Sequence, residues 1–300
     1  MSPPDEKTAT LVLPKGRWPQ ARGTAFLLTP ERSLSARRWF NFAEITIISV
    51  IYFWMAWIIT PLLVTAGLLF FPLFITLLTV IYVAYVAPVV IHRESLAYRG
   101  LGPPAKLFIR TDNLGQAGLI FGLCTGGGIL LLLLGGYFWG CGPTFVASGA
   151  IFLLRLAIYF ISAFFQDGLF FSFFLRRWLT IYGAAPGRHM AGQQVRSGDA
   201  APDPGRLWLA IGSNALLFSL YHLPNAPVMG LALVLGLVWG RVFIPFPNLL
   251  AAALGHALLG TVLHLHLNVS TKVASAYYLG HTSFYAVLCP LVEHLIDGRF

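Results

Sequence analysis

Three side chains in this sequence combine acid–base or metal-binding chemistry with an apolar setting. They are Asp167 in the run FFQDGLFFSFFLRRWL, His222 in FSLYH and His256 in GHALLG, with Gln166 directly before the aspartate. A carboxylate and two imidazoles could hold a water for general-base attack, and His222 and His256 could serve as two ligands of a divalent metal such as zinc. The same groups could instead form an inter-helix hydrogen-bonded cluster that only holds a bundle together, each bond contributing about 0.6–2 kcal/mol. Residue types alone leave these readings open. An ionisable group at the bilayer centre costs roughly 2.5–3.5 kcal/mol on insertion scales, so a carboxylate retained there marks a functional site by default. Asp167 is the one carboxylate expected deep inside a hydrophobic span.

The elements that must position these residues follow from composition. The chain has 300 residues, 57% of them hydrophobic and only 10% charged. Apolar runs of about 18 or more residues recur, which predicts an all-α integral membrane protein, because helices satisfy their own backbone hydrogen bonds in lipid. The alternating pattern of a membrane β-barrel is absent. Spans are expected at 44–66, 68–91, 114–136, 144–176, 207–223, 228–243, 249–267 and 280–297, about eight in all. Residues 1–43 read as a basic, proline-containing arm, residues 44–300 as a polytopic transmembrane domain, and about 182–206 as a flexible loop rich in Gly, Pro and Ala.

The net charge of +9 would suit nucleic acid in a soluble protein. Here the Lys and Arg residues fall in the arm and in the loops 92–113, 177–206 and 244–248, leaving essentially Lys272 for the opposite side. That asymmetry places both termini in the cytoplasm and removes nucleic acid as a partner. Cys124, Cys141 and Cys289 lack metal or redox spacing. The glycine triplet Gly126–Gly128 and Gly149 are expected to let helices approach closely. The segment Glu94–Gly100, with Glu94 and Arg99, reads as a loop salt bridge or a positive-inside anchor.

The runs QDGLFFSFFLRR, FSLYH and GHALLG resemble, in order and spacing, the three motifs of the CPBP family. These are the intramembrane CAAX-processing and bacteriocin-processing (Abi) proteases, of glutamic or metallo type. The family pattern is Glu-Glu-x-x-x-Arg, then Phe-x-x-x-His, then His-x-x-x-Asn or Asp. Phe218 and His222 reproduce the second motif, and His256 supplies the leading histidine of the third, 34 residues later. The resemblance covers about 45–298 and implies a CPBP-protease-like helical bundle in a membrane, by expectation the bacterial inner membrane. It also implies a first glutamate that activates water beside the histidines and an asparagine that steadies the oxyanion.

This chain departs from the pattern at those positions. Gln166 and Asp167 stand for the Glu pair, Phe171 for the Arg and Gly260 for the Asn. Glutamine is not a base, and Asp167 lies about 100° further round an α-helix, so it replaces the glutamate only if the helix is rotated. The expectation is a family member without ordinary proteolysis, an accessory or assembly subunit that binds lipid and another membrane protein. The alternative is an active endopeptidase that uses Asp167 with His222 and His256 on a membrane-embedded peptide. One geometric strain accompanies both: His222 falls near a span end while Asp167 and His256 fall near mid-depth, an offset of roughly 10 Å at the rise of an α-helix.

Overall fold

The computed structural model describes residues 34–59, 62, 70–92, 99–102, 110–138, 149–184 and 203–266. Regular structure among them is helical: α1 Leu34–Trp54, α2 Phe70–Ile81, α3 Leu114–Phe138, α4 Gly149–Asp167, α5 Leu175–Tyr182, α6 Pro204–Leu220, α7 Ala226–Phe243 and α8 Leu249–His266. Wider π-helical turns extend α1 through Met55–Ile59 and α2 through Tyr82–Ile91, and join α4 to α5 through Gly168–Phe174. Among the described residues, four helices are long and apolar enough to cross a membrane: Ser35–Ile59, Leu114–Phe138, Gly149–Tyr182 and Ala226–Phe243. Shorter apolar helices run over Phe74–Pro88 and Leu249–Leu265. The span expected at 280–297 lies outside the described residues, as does most of the loop expected at 182–206.

Large apolar side chains on the outer helix faces are exposed, among them Ile47, Val50, Leu119, Leu123, Leu131 and Leu153. In lipid such faces need no protein cover, because acyl chains are as apolar as leucine. Inside, α4 packs on α8, α8 on α3, α6 on α7, α5 on α6, and α1 on α5. The centre is an aromatic knot in which Phe170, Phe171, Phe173, Phe174, Phe218 and Phe243 are all buried.

Close helix approach occurs at glycines other than the expected ones. A Cβ on Gly236 of α7 would lie 2.8 Å from the Cα of Ala215 on α6, whereas Gly126, Gly127 and Gly149 have nothing within 4 Å. Only Gly128 of that group is near a neighbour, Leu259. Short loops fix the helix ends. Asn225 caps α7 by accepting a hydrogen bond from Val228 N. Asn248 accepts from Ala251 N at the start of α8 and donates to Arg110 O and Asn113 Oδ1.

Helix α1 starts within the stretch expected to be a basic arm, because nothing between Leu34 and Glu44 breaks a helix. Glu44 therefore sits well inside α1, only 5% exposed. The expectation that Asp167 is the one deeply placed carboxylate is corrected by this second, heavily partnered one. Tyr82 donates to Glu44 Oε1 (2.8 Å), while His92 Nε2 (2.7 Å) and Arg177 Nε (2.8 Å) meet Oε2. These contacts tie α1 to the extension of α2 and to α5. Arg99 is likewise not a surface anchor. Its buried guanidinium donates from Nε to Ser172 O (3.0 Å) and from Nη1 to Ala84 O (3.3 Å).

Candidate functional site

The site is built where α4 gives way to the π-helical turns. Asp167 is the last residue of α4 and has no exposed surface. Its Oδ1 accepts a hydrogen bond from His256 Nδ1 on α8 at 2.8 Å. A carboxylate acceptor fixes the proton on Nδ1 and leaves Nε2 of His256 uncommitted by that contact. Asp167 Oδ2 is buried and has no hydrogen-bond partner among the described residues.

His222 lies just past the end of α6, in the turn closed by His222 N donating to Ser219 O. Its Nδ1 donates to Phe218 O at 2.8 Å, the geometry of a ring folded back on its own helix end. The Phe218 ring then joins the two histidines. His222 and His256 both meet it edge-on, with centroids at 4.9 Å and 5.7 Å and planes at 88° and 90°. The two imidazoles thus flank one phenyl ring, the only contact between His222 and the Asp167–His256 pair that the aromatic geometry among the described residues gives. Nδ1 is engaged in each imidazole.

Gln166 is turned elsewhere. Its Nε2 donates to Ser162 Oγ, one turn back on α4, at 3.4 Å. The helix therefore presents Asp167 to His256, and the position of the family's first glutamate is spent on its own helix. Phe171, at the arginine position, is fully buried against Phe218 (5.9 Å) and Phe243 (6.1 Å). At the asparagine position, a Cβ on Gly260 would meet Cδ1 and Cε1 of Tyr159 at 3.0 and 3.1 Å. The Tyr159 ring from α4 fills the space into which a side chain at 260 would project.

Among the described residues no three His, Cys, Asp or Glu side chains are grouped to hold a metal ion. Two imidazoles fall short of the three protein ligands that a catalytic zinc takes. Among the described residues, His222 and His256 would supply two of the three.

Residues 148–262 match the family model described as type II CAAX prenyl endopeptidase Rce1-like. Over that stretch, less than half of the chain, the protein is similar to an Rce1-like domain. That domain runs from the start of α4 through most of α8, and so contains Gln166, Asp167, Phe171, His222, His256 and Gly260. Helices α1–α3, with Glu44 and Arg99, lie before it. No curated protein and no solved structure matches the chain significantly. Together, the apolar helices and the Rce1-like domain make this an integral membrane protein.

Sequence reasoning missed Glu44 and Tyr159, and it read Arg99 as a loop anchor rather than a buried donor. Glu44 carried a signal, since it follows Asn41 without any helix breaker and so belongs to a continuous helix. The position of Arg99 against the π-helical turns and of Tyr159 against Gly260 had none, because both are contacts between distant segments.

Proposed function

We propose that this protein is a CPBP-like membrane protein that does not run the family's carboxylate-activated peptidase chemistry, and that it acts as an accessory or assembly subunit binding another membrane protein. The observation that carries this reading is the Tyr159 ring against Gly260. An oxyanion donor there is absent, and its space is filled. Loss of one such donor costs about 2.7–4 kcal/mol of transition-state stabilisation. The turning of Gln166 towards Ser162 supports the same reading, since neither the chemistry nor the direction of a water-activating glutamate remains. The Asp167–His256 hydrogen bond then serves to lock α4 to α8. The distribution of Lys and Arg supports an orientation with both termini cytoplasmic, and the family resemblance implies the bacterial inner membrane as the setting.

A second reading is favoured by one specific feature. Both histidines have Nδ1 hydrogen-bonded, the arrangement that orients an imidazole to use Nε2 on a water. In that case Asp167 would orient His256, and the chain would be an endopeptidase acting on a membrane-embedded peptide. Purification of the native chain in mild detergent tests the first reading. A fixed membrane-protein partner that survives Asp167→Asn supports it. Cleavage of a prenylated peptide reporter that vanishes in Asp167→Asn supports the second reading and overturns the first.

A further inference from the structure

At the Arg-rich end of the bundle, helix α5 ends at Gly183, whose φ of 67° is left-handed and terminates the helix. Two guanidinium groups from other helices converge on this glycine. A Cβ placed there would lie 3.1 Å from Nη2 of Arg38, on α1, and 3.5 Å from Nη1 of Arg206, on α6. Like charges do not gather at one point without a counter-charge. The C-terminus of α5 offers about half a negative charge, and Asp203 Oδ2 lies 3.6 Å from Arg206 Nε. The first falls off within the last turn of the helix, and the second joins two exposed side chains. Glu44 is already engaged by Arg177, His92 and Tyr82.

Two buried donors on the helices that carry this cluster lack acceptors among the described residues: Arg38 Nε on α1 and the indole Nε1 of Trp178, one turn before the end of α5. Trp178 belongs to α5 and is held against α1 by Phe42 (6.4 Å) and against Tyr182 by stacking (5.9 Å). Buried donors are normally hydrogen-bonded, and leaving one unmet costs about 1–3 kcal/mol. An anionic acceptor with several oxygens would meet these donors and the two guanidiniums together. Its source follows from the surroundings. Trp39, next to Arg38, is 72% exposed, and Trp208, two residues after Arg206, is 51% exposed. Exposed tryptophans at the ends of apolar helices sit at headgroup depth.

We propose that Arg38 and Arg206, which meet at Gly183, bind the phosphodiester of an anionic phospholipid, with the Trp178 indole one turn back on α5 as a further donor. Two forked guanidiniums suit phosphate oxygens, and basic pockets between membrane helices recognise lipid headgroups in this way. The absence of a side chain at Gly183 leaves room for both guanidiniums to approach the helix end.

The test uses the full chain in nanodiscs of phosphatidylcholine containing phosphatidylglycerol, with retained lipid read by native mass spectrometry. Arg206→Gln and Arg38→Gln are each expected to reduce retained phosphatidylglycerol about fivefold, while Arg241→Gln on α7 leaves it unchanged. Arg206 is more than half exposed, so its substitution keeps the test valid even where Arg38→Gln fails to fold. Equal loss in Arg241→Gln would reveal diffuse charge attraction and overturn the site. Displacement of phosphatidylglycerol by inorganic phosphate at millimolar concentration would assign the cluster to a soluble anion and overturn the lipid. Unchanged retention in both Arg38 and Arg206 variants would leave them as caps of α5 only and refute the proposal.

Discussion

The contact between Tyr159 and Gly260 can be tested through the sign of a mutational effect. In Gly260→Ala the new methyl would sit 3.0–3.1 Å from two ring carbons of Tyr159, against an optimum of about 3.5–4.0 Å for carbon pairs. Overpacking of that kind costs about 1–3 kcal/mol when the neighbour cannot yield. Helix propensity acts in the opposite direction, favouring Ala over Gly by about 0.8–1.0 kcal/mol. The net effect in the native background is a destabilisation of about 0–2 kcal/mol. In a Tyr159→Ala background the ring is gone and only propensity remains, so the same substitution stabilises by up to about 1 kcal/mol. The cycle therefore carries a coupling of about 1–3 kcal/mol, well above the additivity error of about 0.3–0.5 kcal/mol for independent sites. Reversible unfolding in mixed detergent micelles, followed by tryptophan fluorescence, measures all four corners. Tyr159→Phe keeps the ring and must behave as the native background does. Additive effects within about 0.5 kcal/mol would refute the claim that Tyr159 occupies the asparagine position.

Three further substitutions probe the buried polar contacts. His256→Ala should destabilise the bundle by about 3–5 kcal/mol, because it strands the buried Asp167 carboxylate. Asp167→Asn keeps shape and one hydrogen bond and should lose only about 1–2 kcal/mol; the same unfolding assay reads the difference, and equal losses would mean that the pair is not closed. Glu44→Gln removes the charge that Arg177 and His92 share, and should loosen α1 from α5 by about 3–5 kcal/mol. Hydrogen exchange should then rise in α1 and α5 and stay low in α8.

How much of this molecule was legible beforehand can be judged residue by residue. The helices around the site follow hydrophobic runs closely: α7 and α8 begin and end within a few residues of the expected spans, because Asn225 and Asn248 mark their starts. The joint order of the Phe218–His222 and His256 motifs marked the stretch that the Rce1-like model matches, since each motif fixes one turn of one helix. The orientation at Gln166–Asp167 was harder. A fixed 100° step gives only the relative direction of the two residues, and which one faces α8 is settled by how α4 packs. The change to π-helical turns straight after Asp167 alters the phase of everything beyond it. Gly260 illustrates the same limit from the other side: its sequence position signals a lost asparagine, but only packing reveals that an aromatic ring from α4 has taken the space. Glu44 was assigned to the edge of a span because hydropathy windows begin where charge ends, although α1 itself continues back through Arg37 and Arg38.

The central claim, that the site no longer assembles carboxylate-activated peptidase chemistry, is tested most directly by cleavage of a prenylated CAAX peptide by the purified chain in lipid bilayers. Product formation by the native chain should equal that of His256→Ala and Asp167→Asn. Cleavage by the native chain that disappears in either variant would contradict it.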